Sequence, residues 1–206
     1  MSDILKLEAA QIDALREVAN IGAGHAATAL SQMTDRTIMI SVPEIKIARL
    51  MDVPDTFVGG DTSVIGVSMH MLGDLTGLTI MLLPDNDASL LCDLVLRKPA
   101  GTTVEFNELA ESSLKEAGNI IGGAYMNALS EFMGMMLLPS VPKFVHDQAS
   151  AALAEMRGGD GSVEDVILSV ETALAFKDVG QELTAHFLLL PDRASLDAIF
   201  DAINVS

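Results

Sequence analysis

Two side chains with complementary chemistry, a carboxylate and a carboxamide, lie one helical turn apart at Glu17 and Asn20. The same pair recurs 99 residues later, at Glu116 and Asn119. A glutamate can pair with a cation on a partner, and an asparagine amide, which both donates and accepts hydrogen bonds, can hold and orient a water molecule. Amides that align the attacking water are established in phosphoryl transfer, so each pair is suited to hydrolysis.

Each pair belongs to a stripe of four residues spaced i, i+4, i+7 and i+11, which on a helix fall within about 60° of one another. The stripes are Asp13, Glu17, Asn20, Gly24 and Ser112, Glu116, Asn119, Gly123. A charged stripe is usually a solvated face. However, asparagine and interior glycine both disfavour helix, so their retention in two copies favours a function. We expect the glycines of the first helix to serve close helix packing.

The two stripes lie within a longer internal repeat. The segment from Asp13 to Gly24 aligns without a gap with Ser112 to Gly123, and the match continues to the Ser-Val-Pro sequences that end at Pro43 and Pro142. A single chain over 1–206 is therefore expected to form one domain from two repeats, at about 8–97 and 105–203. No phosphate-binding loop or metal-ligand cluster is evident, so phosphate and Mg²⁺ would arrive with a partner.

Periodicity gives the same order of elements in each repeat: a long amphipathic helix, three strands and a shorter helix. The predicted helices and strands are helix 8–33, strands 37–49, 62–71 and 75–83, helix 85–97, helix 105–134, strand 138–146, helix 148–157, strands 164–176 and 182–190, and helix 192–203. Asp85 and Asp192 are expected to cap helices, and Gly158–Ser162 to form a turn. The fold class is α+β, with an antiparallel sheet and pseudo-twofold symmetry.

The spacing Asp/Ser-x3-Glu-x2-Asn-x22-Pro, which occurs once from Asp13 to Pro43 and once from Ser112 to Pro142, resembles the CheC family of chemotaxis phosphatases. The resemblance covers nearly the whole chain, and two intact copies match the two-motif type. It implies hydrolysis of the aspartyl phosphate of a CheY-type response regulator, with Glu17 and Glu116 docking to the receiver lysine and Asn20 and Asn119 positioning water. The alternative is a non-catalytic module that sequesters phosphorylated CheY or regulates CheD.

The same resemblance implies CheD as a second partner. The last predicted helix carries an apolar stripe that ends in Phe200 and Ile203, and we expect an exposed residue there to contact CheD. Packing of this stripe on the sheet is the competing interpretation, and it fits most of its side chains better.

Composition limits the remaining possibilities. A formal charge of −17, from 12 basic and 29 acidic residues, argues against a nucleic-acid partner. The single cysteine, the absence of an N-terminal basic and apolar signal, and the absence of an apolar run of about 18 residues predict a cytoplasmic protein without membrane insertion. We expect no cofactor of its own, with Mg²⁺ bound by the receiver.

Overall fold

The computed structural model describes residues 9–53, 59–157 and 166–204. The first repeat contains α1 (Ala9–Thr34), β1 (Ile38–Arg49), a 3-10 turn (Leu50–Asp52), β2 (Ser63–Gly73), β3 (Gly77–Pro84) and α2 (Asp85–Val95). The second contains α3 (Glu108–Met133), β4 (Leu137–Pro139), β5 (Lys143–Gln148), α4 (Ala149–Arg157), β6 (Val166–Phe176), β7 (Gln181–Pro191) and α5 (Arg193–Asn204). The predicted α+β class is confirmed, and Gly158–Ser162 lies outside the described residues.

The strands form one antiparallel sheet in the order β1-β6-β7-β3-β2-β4, with β5 also paired to β2. The first strand of each repeat therefore pairs with the other repeat: β1 pairs with β6, and β4 and β5 pair with β2. The equivalent strands of the two repeats are β2 and β6, β3 and β7, and β1 with the pair β4 and β5. Exchanging them gives the same strand order, read from the opposite edge of the sheet. A pseudo-twofold axis consequently passes between β3 and β7, at the centre of the sheet.

The two faces of the sheet are covered by different helices. On β2, Val67 points toward α3 and lies against Gly118, whereas the neighbouring Gly66 faces Met156 of α4. Since successive strand residues point to opposite faces, α3 and α4 lie on opposite sides. Helices α1, α2 and α3 pack over the larger core on the first face, so both stripe-bearing helices lie on the same side of the molecule.

Helices α1 and α3 contact each other closely at Gly22 and Tyr125. A Cβ placed on Gly22 would lie 2.6 Å from the Tyr125 ring and 3.0 Å from its Cα. The ring is held in place, because it stacks on Phe187 at 4.9 Å and its hydroxyl lies 2.9 Å from that of Thr172. The expectation that glycine allows close packing is therefore correct at this position, and the contact fixes how the two helices cross.

The segment between the repeats is held by a buried carboxylate. Asp93, which is fully buried near the end of α2, accepts hydrogen bonds from the amides of Thr102 and Thr103, both at 2.8 Å. The Thr103 hydroxyl donates a third bond at 2.6 Å. Asn107 then caps α3 through the amides of Leu109 and Ala110, which sets where the second long helix begins.

Two local predictions need correction. The strand expected over 138–146 is split into β4 and β5, since Pro142 between them has no amide to donate to the ladder. Asp192 caps α5, accepting from the Ser195 amide at 2.8 Å, but Asp85 does not cap α2. Asp85 lies in the first turn of α2 and its carboxylate contacts His146 at 3.2 Å.

Candidate functional site

The first stripe lies on the solvent-facing side of α1. Its four residues, Asp13, Glu17, Asn20 and Gly24, are all exposed. The opposite side of the helix is buried through Leu15, Val18, Ala19, Gly22, Ala23, Ala26 and Leu30. Burial of this small-residue side against the sheet and α3 turns the carboxylate and the amide outward, because helix positions three to four residues apart share a face.

The second stripe is presented in the same way by α3. Ser112 and Glu116 are exposed, whereas Asn119 and Gly123 are partly exposed. The buried side includes Leu114, Ala117, Gly118, Ile121 and Gly122. Both Glu/Asn pairs are thus accessible to a partner, with the second amide set lower in the surface than the first.

Within the described part of the chain, the side chains of Glu17, Asn20, Glu116 and Asn119 form no hydrogen bond or ion pair. The carboxylates are therefore available to a cation, and both amides can donate and accept. Two groups that have no partner among the described residues, repeated at equivalent positions, form a surface that suits contact with a partner.

A basic residue stands immediately before each glutamate, and the prediction from motif spacing missed it. Arg16 pairs with Asp13 at 3.0 Å, and Lys115 pairs with Glu111 at 2.9 Å. Arg16 and Lys115 occupy equivalent positions in the repeat, each one turn before its asparagine, so alignment of the two copies could have revealed them. Their positive charges lessen the negative field at both stripes.

The motif prolines lie where they were expected, at or near the first strand of each repeat. Pro43 is inside β1, at a shift in its register with β6 between Ser41 and Glu44. Pro142 lies in the break between β4 and β5. Both interrupt strand pairing at the same place in the repeat, which fits a geometric role rather than a chemical one.

Gly24 was expected to serve helix packing, and this prediction is wrong. A Cβ built on Gly24 meets no atom within 4 Å, and the same holds for the equivalent Gly123. Among the described residues, no contact at either glycine excludes a side chain.

The α5 stripe is mostly packed inside. Leu196, Ile199 and Ile203 are buried, with Ile203 only 4% exposed, and Phe200 is partly buried. Ile203 is therefore not an exposed docking residue, because it packs in the core beneath α1. Of the two residues predicted for partner binding, Phe200 alone keeps accessible surface.

Metal-ligating side chains are dispersed over the described residues: no group of three or more His, Cys, Asp or Glu is arranged to hold an ion. In the same residues, no helix has the length and apolar character needed to cross a membrane.

Comparison with known proteins identifies the repeat. Residues 11–47 and 109–146, which carry the two stripes and prolines, match the CheC-like family. The chain is 34% identical to CheY-P phosphatase CheC of Bacillus subtilis, over 95% of both proteins. It is 23% identical to the flagellar motor switch phosphatase FliY of the same organism, over 64% of this chain and 34% of FliY.

The fold is shared with a solved structure. FliY of Thermotoga maritima superposes with a TM-score of 0.78, at 22% identity, covering 97% of this chain and 98% of that one. The duplicated stripes, the prolines that follow them and the near full-length similarity to CheC agree with one another. The chain belongs to the CheC-like family.

Proposed function

We propose that this chain hydrolyses the aspartyl phosphate of a CheY-type receiver protein. The observation that carries the proposal is the pair of equivalent surface stripes, each with an unengaged glutamate and an unengaged asparagine, in a chain 34% identical to a CheY-P phosphatase. The proposed location of both the chain and its receiver partner is the cytoplasm.

In the proposed reaction, Glu17 or Glu116 pairs with the lysine of the receiver's active site and so places the helix over the phosphoryl group. Asn20 or Asn119 then holds a water in line with the bond to be broken. The water oxygen attacks phosphorus, the phosphorus–oxygen bond to the aspartate breaks, and inorganic phosphate and a free carboxylate result. Mg²⁺ on the receiver would balance the charge on the phosphoryl oxygens.

Two sites on one chain are proposed to act independently. Each stripe has its own glutamate and asparagine, and α1 and α3 present them at equivalent places about the pseudo-twofold axis. Because Asn119 is less exposed than Asn20, the two sites can differ in rate. Single-site variants separate the two contributions.

The competing function is a binding module that sequesters the phosphorylated receiver or regulates CheD without catalysis. Ion pairing through the glutamates would serve such a module as well as it serves an enzyme. The asparagines distinguish the two functions, because a water-orienting amide has a use only in hydrolysis. If the chain is an enzyme, loss of the amides should therefore lower the rate of hydrolysis and leave binding of the receiver unchanged.

The experiment compares two double variants with the wild-type chain. Asn20→Ala with Asn119→Ala should lower the hydrolysis rate about 10²–10³-fold and leave receiver affinity nearly unchanged, as expected when one oriented polar group is lost at a transition state. Glu17→Ala with Glu116→Ala should raise the Kd about 10-fold or more, since an interfacial charge pair contributes to the ground-state complex.

Asn86→Ala, at an exposed asparagine of α2 that belongs to neither stripe, is the matched control and should behave as wild type. Equal hydrolysis by the wild type and the double asparagine variant would reject the role given to the amides, and rates equal to spontaneous decay in both would favour the binding module. If loss of the amides abolished binding instead, the assigned roles of glutamate and asparagine would be reversed.

CheD is proposed as a second partner that contacts α5 near Phe200, the residue of that stripe with accessible surface outside the core. Phe200→Asp should weaken CheD capture and, because the partly buried ring packs against the core, also lower the melting temperature, while hydrolysis stays near wild type at temperatures where the variant is folded. Unchanged CheD capture, or loss of both CheD capture and hydrolysis, would count against this location.

A further inference from the structure

Gly24 and Gly123 occupy the last position of each stripe, four residues after the asparagine and therefore one helical turn beyond it. Both lie well inside a long helix, at Ala9–Thr34 and Glu108–Met133. Glycine is an unfavourable residue in a helix interior, because it loses more backbone freedom than alanine when the helix forms. Its presence at both equivalent positions needs a physical reason.

Packing within the chain does not supply that reason. The other glycines of these helices are confined: a Cβ on Gly22 would lie 2.6 Å from the Tyr125 ring, and a Cβ on Gly118 would lie 2.7 Å from Val67. By contrast, a Cβ on Gly24 or Gly123 meets no atom of the described residues within 4 Å. An alanine would fit at either position without moving anything.

Backbone conformation does not supply the reason either. Gly24 and Gly123 are not among the described residues with positive φ, so alanine could adopt their helical geometry without strain. Each is at least partly exposed, on the surface that carries the glutamate and the asparagine. The remaining explanation is a bound partner that occupies the space which a side chain at these positions would fill.

We propose that Gly24 and Gly123 are positioning residues against which the receiver packs directly, so that each helix backbone approaches close enough for the neighbouring asparagine to reach the phosphoryl group. This inference rests on the proposed function and adds to it a determinant of docking depth. A Cβ would hold the receiver away by about the length of one bond, and a misplacement of about 1 Å at a reacting centre can cost 10²-fold in rate.

The test is Gly24→Ala with Gly123→Ala in the full chain, assayed on a phosphorylated CheY-type receiver. Two effects of opposite sign are expected. The melting temperature should rise by roughly 4 °C, because two helix-interior glycines are replaced by the best helix former. The kcat/KM for dephosphorylation should fall about 10-fold or more, with weaker binding of the receiver in a titration.

Larger side chains should deepen the loss, so Gly24→Leu with Gly123→Leu is expected to lower kcat/KM further. Ala154→Leu is the control for added bulk: it lies exposed on α4, across the sheet from both stripes, and should leave hydrolysis unchanged. An alanine variant that is more stable and as active as wild type would overturn the inference while leaving the phosphatase intact. A variant that loses stability together with activity would also overturn it, since the glycines would then have a structural role.

The proposed phosphatase function is tested separately, by receiver binding and dephosphorylation with the wild-type chain. If the wild type neither binds the phosphorylated receiver nor speeds loss of its phosphate, the phosphatase proposal fails, and the docking inference with it. Where the wild type is active, the glycine variants alone decide whether close approach at Gly24 and Gly123 matters.

Discussion

Replacement of Asp93 by alanine should weaken the protein more than most single substitutions would. Its carboxylate is fully buried and accepts three hydrogen bonds from the segment that connects the repeats: from the Thr102 amide, the Thr103 amide and the Thr103 hydroxyl. Alanine removes every acceptor at once. The amide of Thr103, which is partly buried, then lacks a partner, whereas the exposed Thr102 regains water more readily.

The size of the effect follows from these three bonds. A buried donor left without a partner costs about 1–3 kcal/mol, and a donor that water can reach costs less. We therefore expect Asp93→Ala to lower the free energy of unfolding by about 3 kcal/mol. For a chain of this size that corresponds to a fall in Tm of about 6–12 °C. Asp93→Asn keeps one acceptor oxygen and should lose about half as much.

Urea unfolding followed by circular dichroism measures this loss, with the slope m checked for constancy. Asp201→Ala is the control: Asp201 is an exposed aspartate of α5, and its removal should change stability by less than about 0.5 kcal/mol. A loss below about 1 kcal/mol for Asp93→Ala would mean that this carboxylate does not hold the connecting segment. At temperatures where the variant is folded, hydrolysis by the stripes should persist.

Three further predictions concern stability. Gly22→Ala should lower it by about 1–3 kcal/mol in urea unfolding, despite the gain in helix propensity, because the new methyl overlaps the immobilised Tyr125 ring. Burial raises the pKa of Tyr125 to about 12 from 10.0. The contribution of Tyr125 to stability should therefore be constant well below pH 10, fall as the pH rises from 10 toward 12 and be about 1 kcal/mol lower at pH 11; a Tyr125→Phe variant should not show this fall. Asp192→Ala should cost about 1 kcal/mol at pH 7 through loss of the α5 cap. Hydrogen bonds from the Thr76 hydroxyl and the Ser195 amide hold the pKa of Asp192 below its usual 3.8, so its contribution is present above pH 3.8 and disappears as the pH falls through the lower folded value. Equal acid sensitivity of wild type and Asp192→Ala below pH 3.8 would contradict this.

The long helices and their exposed sides could be predicted because the spacing of apolar residues along the sequence determines which side of a helix is buried. The predicted ends of the long helices agree with the observed ones to within three residues, since Leu15, Ala19 and Ala26 repeat at helical spacing and bury the same side. The outward direction of Glu17 and Asn20 follows from that burial. The candidate stripes could therefore be recognised from the amino-acid sequence alone.

Features that depend on contacts distant in sequence could not be predicted. The pairing of β1 with β6 of the other repeat depends on the packing of the whole sheet and not on the residues near β1 in sequence. The burial of Ile203 depends on how α5 packs beneath α1, and the open space around Gly24 is visible only once the neighbouring helix is placed. Asp85 resembled a cap by its place before a helix, yet its partner is His146, which is 61 residues away in sequence.

Hydrolysis of a receiver aspartyl phosphate by the two stripes is tested by the rate of phosphate loss. A receiver phosphorylated on its aspartate is mixed with saturating wild-type chain, and decay of the phosphoprotein is compared with its spontaneous decay. We expect faster decay with the wild type and near-spontaneous decay with the Asn20→Ala, Asn119→Ala chain, which still binds. Equal decay with and without the wild-type chain, at a concentration that saturates binding, would contradict it.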